Sequence, residues 1–200
     1  MWFYLTQGLL LGGWAAAQPG PLQAYLLGQT MRHGWRAALP ATLAPILSDG
    51  PIVALVLLVL TQMPPWLLRV LQGAGGVFLL YLAWSAAWAA QRPSSSTPAQ
   101  SGRQGLWQAA LMNTLSPNPY IFWATIAGPI LIQAWAQSPA WGLGFAAGFY
   151  GALVGGFAGF VLLFAFLGGV NERLNRWLSS GSALFLLLFG LYQLWLALFI

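Results

Sequence analysis

The sequence predicts an all-α membrane protein of six transmembrane helices, built as two inverted-topology three-helix repeats with helices 1 and 4 broken. Three observations carry that prediction. Of 200 residues, 59% are hydrophobic and only 4% are charged. Apolar runs separated by polar or charged punctuation recur six times. A Pro-x-Pro pair interrupts the first run and again the fourth.

Soluble domains carry roughly 25% charged residues. A transmembrane helix needs about 20 predominantly apolar residues. The chain therefore has room for six spans and for no separate soluble domain. It reads as one membrane domain over 1–200, with repeat one at 1–90, a cytoplasmic linker at 91–104 and repeat two at 105–200. The net charge of +5 comes from seven Arg against Asp49 and Glu172, with no Lys. In a soluble chain that balance would point to nucleic acid. Here the Arg lie between apolar runs, as topology signals do, so the partner implied is the lipid bilayer. The absence of Cys excludes disulfides and thiolate chemistry.

The six segments are Trp2–Leu27, Ala37–Leu60, Trp66–Ala90, Gly105–Ala134, Trp141–Gly168 and Leu178–Ile200. Each is long enough for about 30 Å of hydrocarbon at about 1.5 Å per residue. Backbone groups inside lipid must be satisfied internally, which makes these segments helices. Ala15-Ala16-Ala17 resembles a signal-peptidase site. However, Met1 to Thr6 hold no basic residue, and apolar character resumes through Leu22–Leu27, so the segment reads as the first helix. The stretch from Arg92 to Arg103 is rich in Ser and Pro and has nothing to bury, as a solvated linker requires.

Orientation follows from the Arg. Arg32 and Arg36 follow helix 1, Arg92 and Arg103 follow helix 3, and Arg173 and Arg176 follow helix 5. Only Arg69 falls on the other face. The positive-inside rule then puts the Arg-bearing loops in the cytoplasm and both termini outside, in a bacterial-type inner membrane.

The two halves echo each other. Gln18-Pro19-Gly20-Pro21 in helix 1 matches Ser116-Pro117-Asn118-Pro119 in helix 4. Three spans per half force the copies to insert in opposite senses, an arrangement used by many secondary transporters. Each Pro removes a backbone donor and clashes with the preceding turn, and Gly20 is read as supplying unusual dihedrals between its prolines. Irregular backbone at membrane depth is tolerated only inside protein or along a wet cavity. Half-helix ends there suit a zwitterion's carboxylate and ammonium. Asn113, Thr114, Ser116 and Asn118 add polar side chains to the second break.

Asp49 sits near the middle of helix 2 beside Ser48, Gly50 and Pro51, with no Arg in the same helix. A charge at the bilayer centre costs about 2.5–3.5 kcal/mol on insertion scales and marks a substrate or proton path. The expected pathway residues are thus Asp49, Ser48, Gln18, Pro19, Gly20, Pro21, Asn113, Ser116, Pro117, Asn118 and Pro119. His33, the one His, reads as a solvated loop residue. With no second His and no Cys, no metal site, cofactor or Ser-His dyad is implied, and the chain does not read as an enzyme. In helix 5, Gly144, Gly148, Gly151, Gly155 and Gly159 recur at helical spacing and read as close-packing surfaces. Exposed glycine faces would also support a homodimer.

These residues resemble the LysE/RhtB family of amino-acid exporters over nearly the whole chain. The resemblance rests on Gly8-Leu-Leu-Leu-Gly12 leading to Pro19-Gly-Pro21, then Gly28 and Gly34-Trp-Arg-Ala-Ala. It continues through Ser48-Asp49, Gly75-Gly76, Leu80-Tyr-Leu-Ala-Trp84 and Asn113-Thr-Leu-Ser-Pro-Asn-Pro119 before Phe122-Trp123. It implies a six-helix exporter of amino acids or similar metabolites, exchanging them for protons. Many members read Asn-Pro-Lys where this chain has Pro-Asn-Pro, so a cation of the family pattern is missing. Distant relatives handle cations, and a cation or metal exporter is the alternative reading.

Overall fold

The computed structural model describes residues 2–58, 65–90, 102–170 and 172–199. They are helical apart from the turns at 18–20, 34, 116 and 138. Helix α1 (Trp2–Ala17) and helix α2 (Pro21–His33) form a first broken helix. Gly34 then turns the chain at φ +80°, a left-handed conformation that glycine adopts at little cost. Helix α3 (Trp35–Ala38) follows and runs through a 3-10 turn (Leu39–Leu43) into α4 (Ala44–Leu58). Next comes α5 (Pro65–Ala90). A second broken helix comprises α6 (Gly102–Leu115), α7 (Pro117–Phe122), a π turn (Trp123–Ala127) and α8 (Gly128–Gln137). Two long helices finish the chain, α9 (Pro139–Val170) and α10 (Glu172–Phe199).

The apolar segments read from the sequence lie in these helices wherever they are described. Three stretches among the described residues are long and apolar enough to cross a membrane: Trp35–Leu55, Pro139–Gly168 and Ser180–Leu198. The broken helices do not qualify piece by piece, because the longest piece, α1, has 16 residues. Of the linker, 92–101 lies outside the described residues, while Gly102 and Arg103 already belong to α6. Arg173 and Arg176, expected in a loop, fall in the first turns of α10.

Packing follows small residues. Helix α1 runs parallel to α9: Gly8 meets the Phe145 backbone, Gly12 meets Phe149, and Ala16 meets Gly156. A Cβ on Gly8 or Gly12 would collide with a carbonyl oxygen of α9, so only glycine allows this approach. Helix α6 runs parallel to the chain from α3 to α4, with Gly105 near Ala37 and Asn113 beside Asp49. Helix α10 lies antiparallel to α5, where Gly73 faces Ala197 and Gly76 faces Gly190. It also crosses α2, with Ser182 against Gly28. Lipid gives no hydrophobic drive between helices, so close backbone contact of this kind supplies the packing energy.

The glycine face of helix 5 is not as the sequence reading had it. Gly148 does pack closely, against the backbone of Leu5 and Leu9, but a Cβ on Gly151, Gly155 or Gly159 would meet nothing within 4 Å among the described residues. The close contact is shared between Gly148 and Gly156 of α9 and Gly8 and Gly12 of α1. His33 also differs from expectation. It closes α2, is half-buried, and its Nδ1 has no hydrogen-bond partner among the described residues. Burial, and then the charge of Arg32, hold this imidazole below its ordinary pKa.

Contacts also sort the Arg by end. Gly102 abuts Pro40 and Gly105 lies by Ala37, which gathers Arg36 and Arg103 at one end with Arg32 of the last turn of α2. Arg69 precedes Gly73, which faces the end of α10, so it belongs to the opposite end.

Candidate functional site

Both helix breaks open onto one cavity of about 150 Å³. Gln18, Pro19, Gly20 and Pro21 line it from the first break. Asn113, Ser116, Asn118 and Pro119 line it from the second, and Asp49 reaches it from α4. The structure thus brings together nine of the eleven residues singled out in the sequence. Ser48 and Pro117 are not part of the wall. Ser48 is buried behind Asp49, where it donates to the Ala44 carbonyl at 2.9 Å and accepts from Asn113 Nδ2 at 2.7 Å. Pro117 is buried as the first residue of α7, where its missing N–H has no helical partner to lose.

Gly20 plays a different part from the one expected. Its φ of −159° and ψ of 175° are ordinary extended backbone. A Cβ there would meet no atom closer than the Gln18 carbonyl at 4.0 Å. The absent side chain keeps the cavity open; it does not bend the chain.

The breaks leave carbonyls without helical donors, and side chains repair them. In α1 the Gln23 amide donates back to the Ala16 carbonyl. In α6 the Tyr120 hydroxyl donates to the Thr114 carbonyl at 2.9 Å. Each donor comes from the half-helix after the break, so the two pieces stay joined despite the prolines. An unsatisfied carbonyl would cost about 1–3 kcal/mol.

Asp49 is 3% exposed, and donors from two other helices hold it. Asn113 Nδ2 donates to Oδ1 at 2.9 Å. Trp123 Nε1 and the Tyr150 hydroxyl donate to Oδ2 at 3.2 and 3.3 Å. All three partners are neutral, and all present hydrogens. Such a set suits an ionised carboxylate, whose oxygens only accept. Of the three, the tyrosine hydroxyl can also accept by rotation alone. A proton arriving on Asp49 therefore has a local acceptor for its O–H.

The rest of the lining is apolar: Met112, Leu153, Phe157 and an aromatic group of Phe122, Trp123 and Phe149. Phe122 stacks on Phe149 at 5.5 Å, and Trp123 meets Phe149 edge-on at 5.4 Å. The cavity thus combines amides and a carboxylate with rings and methylenes. Gln18, Pro19 and Asn118 are exposed and form its mouth.

The residues of α9 that reach the cavity and Asp49 were missing from the sequence reading. Phe149 and Tyr150 lie in a helix that is apolar on every side, so no periodicity marks the face that turns to the cavity. Trp123 was legible only as part of the Phe122-Trp123 pair. The π turn that begins at Trp123 left no signal in the sequence, although such turns often mark functional sites.

Apolar helices, two broken ones and a partly polar chamber between them define a membrane transporter of the broken-helix kind. The LysE type translocator family model matches residues 14–196, and the chain belongs to that family. No curated protein and no solved structure matches it.

Proposed function

We propose that the chain is a secondary exporter of amino acids or similar small polar metabolites, driven by proton exchange at Asp49 through alternating access. The observation that carries this reading is the shared chamber: both proline breaks and the one mid-helix carboxylate line the same cavity. A zwitterion meets side-chain amides, a carboxylate and apolar rings in one chamber. A bare cation would meet the hydrogens of Asn113, Trp123 and Tyr150 around Asp49, the reverse of the oxygen cage that hard cations need.

Six spans in two inverted units are part of the proposal. Helix directions support it. The parallel pairing of α1 with α9 has its counterpart in the parallel pairing of α4 with α6, and α5 lies antiparallel to α10. Exchanging helices 1 and 4, 2 and 5, and 3 and 6 reproduces this set of neighbours. The Arg-bearing end would face the cytoplasm of a bacterial-type inner membrane, with both termini outside. The outward-facing Gly151, Gly155 and Gly159 support a homodimer, which oligomeric state in detergent would check.

The test is counterflow from proteoliposomes loaded with mixed amino acids, read by mass spectrometry with and without a pH gradient. Gradient-dependent loss of one or a few amino acids is expected. Folded protein that releases none of them overturns the substrate class.

A further inference from the structure

A hydrogen-bonded aromatic residue follows each of the two proline breaks that line the cavity, and the two residues occupy equivalent places in the two broken helices. Tyr25 stands four residues beyond Pro21, and Trp123 stands four residues beyond Pro119. Both are buried, at 4% and 2% exposure.

Tyr25 lies one turn past the cavity-lining Leu22, toward the end that carries Arg32, Arg36 and Arg103. Its hydroxyl donates to Gln108 Oε1 at 2.8 Å, with the Gly105 carbonyl as a longer alternative at 3.3 Å. It accepts from Gln29 Nε2 at 2.9 Å. This bar joins α2 to α6 beneath the chamber. Leu26, the next residue of α2, is fully buried, as is Ala109, the residue after Gln108 in α6.

Trp123 closes the other end. Its indole N–H reaches Asp49, which Asn113 and Tyr150 also hold, so α4, α6, the π turn and α9 meet at one carboxylate. About one turn further along α4 and the π turn, Ile52 and Ala127 are nearly or fully buried. The chamber thus has a polar bolt above and below. Each bolt is carried on the piece of broken helix that follows its own proline break.

We propose that Tyr25 is the inner gate and Trp123 the outer gate of the transport path. This rests on the alternating-access reading above. Each cycle breaks one of the two hydrogen-bonded clusters while the other holds, and both are intact in the structure. The bolts differ in kind. The inner one is neutral on both sides. The outer one includes the carboxylate and so responds to its charge, because hydrogen bonds to an ionised group are roughly twice as strong as neutral ones.

The natural sequence has no Cys, which makes a single reporter possible. Gly20→Cys places a thiol in the chamber, where a Cβ has room. Sealed vesicles of each orientation are exposed to a charged, membrane-impermeant thiol reagent. Tyr25→Phe keeps the ring and removes the hydroxyl, and Trp123→Phe keeps an aromatic, though smaller, ring and removes the N–H. Tyr25→Phe should raise labelling by about tenfold from the Arg-bearing face only, the factor that about 1.4 kcal/mol produces. Trp123→Phe should raise it by a similar factor from the opposite face only. Labelling that rises from both faces, or from neither, in protein that stays monodisperse overturns the proposal. A merely structural role for these residues loosens both ends together and fails the one-sided criterion. The readout needs no substrate, so failure of the counterflow test and failure of the gates are separate results.

Discussion

Asn113 donates to Asp49 at 2.9 Å and thereby ties the last turn before the second break to the middle of α4. The same amide donates to Ser48 at 2.7 Å, so its orientation is fixed from two sides. The carboxylate is consequently positioned by the broken helix itself, and movement of α6 is felt at Asp49 without an intermediate.

Asp49→Asn should uncouple transport from the pH gradient. Exchange of substrate across the membrane should persist, while acceleration by a gradient disappears. The variant also turns one acceptor into a donor facing Trp123, Tyr150 or Asn113. Stability should therefore drop by about 1–3 kcal/mol, seen as a lower melting temperature in detergent. Gradient-driven counterflow at the wild-type rate would end the proton role.

Gly20→Val should fold normally and transport poorly. The extended backbone accepts any residue, and the new side chain points into the chamber. Thermal stability within about 0.5 kcal/mol of the parent, together with a raised KM for the larger substrates, is the expected pair of results. Lost stability with unchanged KM would mean that the glycine serves the backbone after all.

Gly12→Ala and Gly13→Ala form an internal control. A Cβ at Gly12 collides with the Phe149 carbonyl, while one at Gly13 meets nothing within 4 Å. The first should cost about 1–3 kcal/mol, as overpacking does. The second should be neutral, or stabilising by up to about 1 kcal/mol from helix propensity. Tryptophan fluorescence during thermal unfolding distinguishes them.

Gln23→Leu and Tyr120→Phe should each weaken the protein by about 1–3 kcal/mol, because each strands a carbonyl at a proline break. Loss in both variants, with substrate affinity retained, would assign these side chains to repairing the helix. Unchanged melting temperatures would show that another donor takes over.

Much of this was readable before any coordinates. The apolar runs give the helices, since a 4% charged chain of this length has no other way to satisfy its backbone in lipid. Proline chemistry locates both breaks, and the cost of a centred charge picks out Asp49. What the sequence withheld depends on packing. Tyr150 reaches Asp49 only because α9 crosses α4 at that height. The glycines of α9 announced a close-packed face by their spacing, but spacing names a face without naming its neighbour. Among the described residues that neighbour proved to be absent for Gly151, Gly155 and Gly159, while Gly148 shared the tight contact with Gly8 and Gly12. Gly20 misled for a related reason: a glycine between prolines suggests a strained turn, whereas here it leaves room for something else.

The pairing of α1 with α9 has a consequence for how the protein is made. During synthesis α1 has its glycine face uncovered until α9 arrives, a delay on the order of ten seconds at ordinary elongation rates. Likewise, α4 lacks α6 until the second half has begun. Neither half is self-sufficient, so insertion and folding must be separate events, with the lipid holding early helices in waiting. Two fragments divided between α5 and α6 should each be short-lived in the cell and should rescue one another when synthesised together.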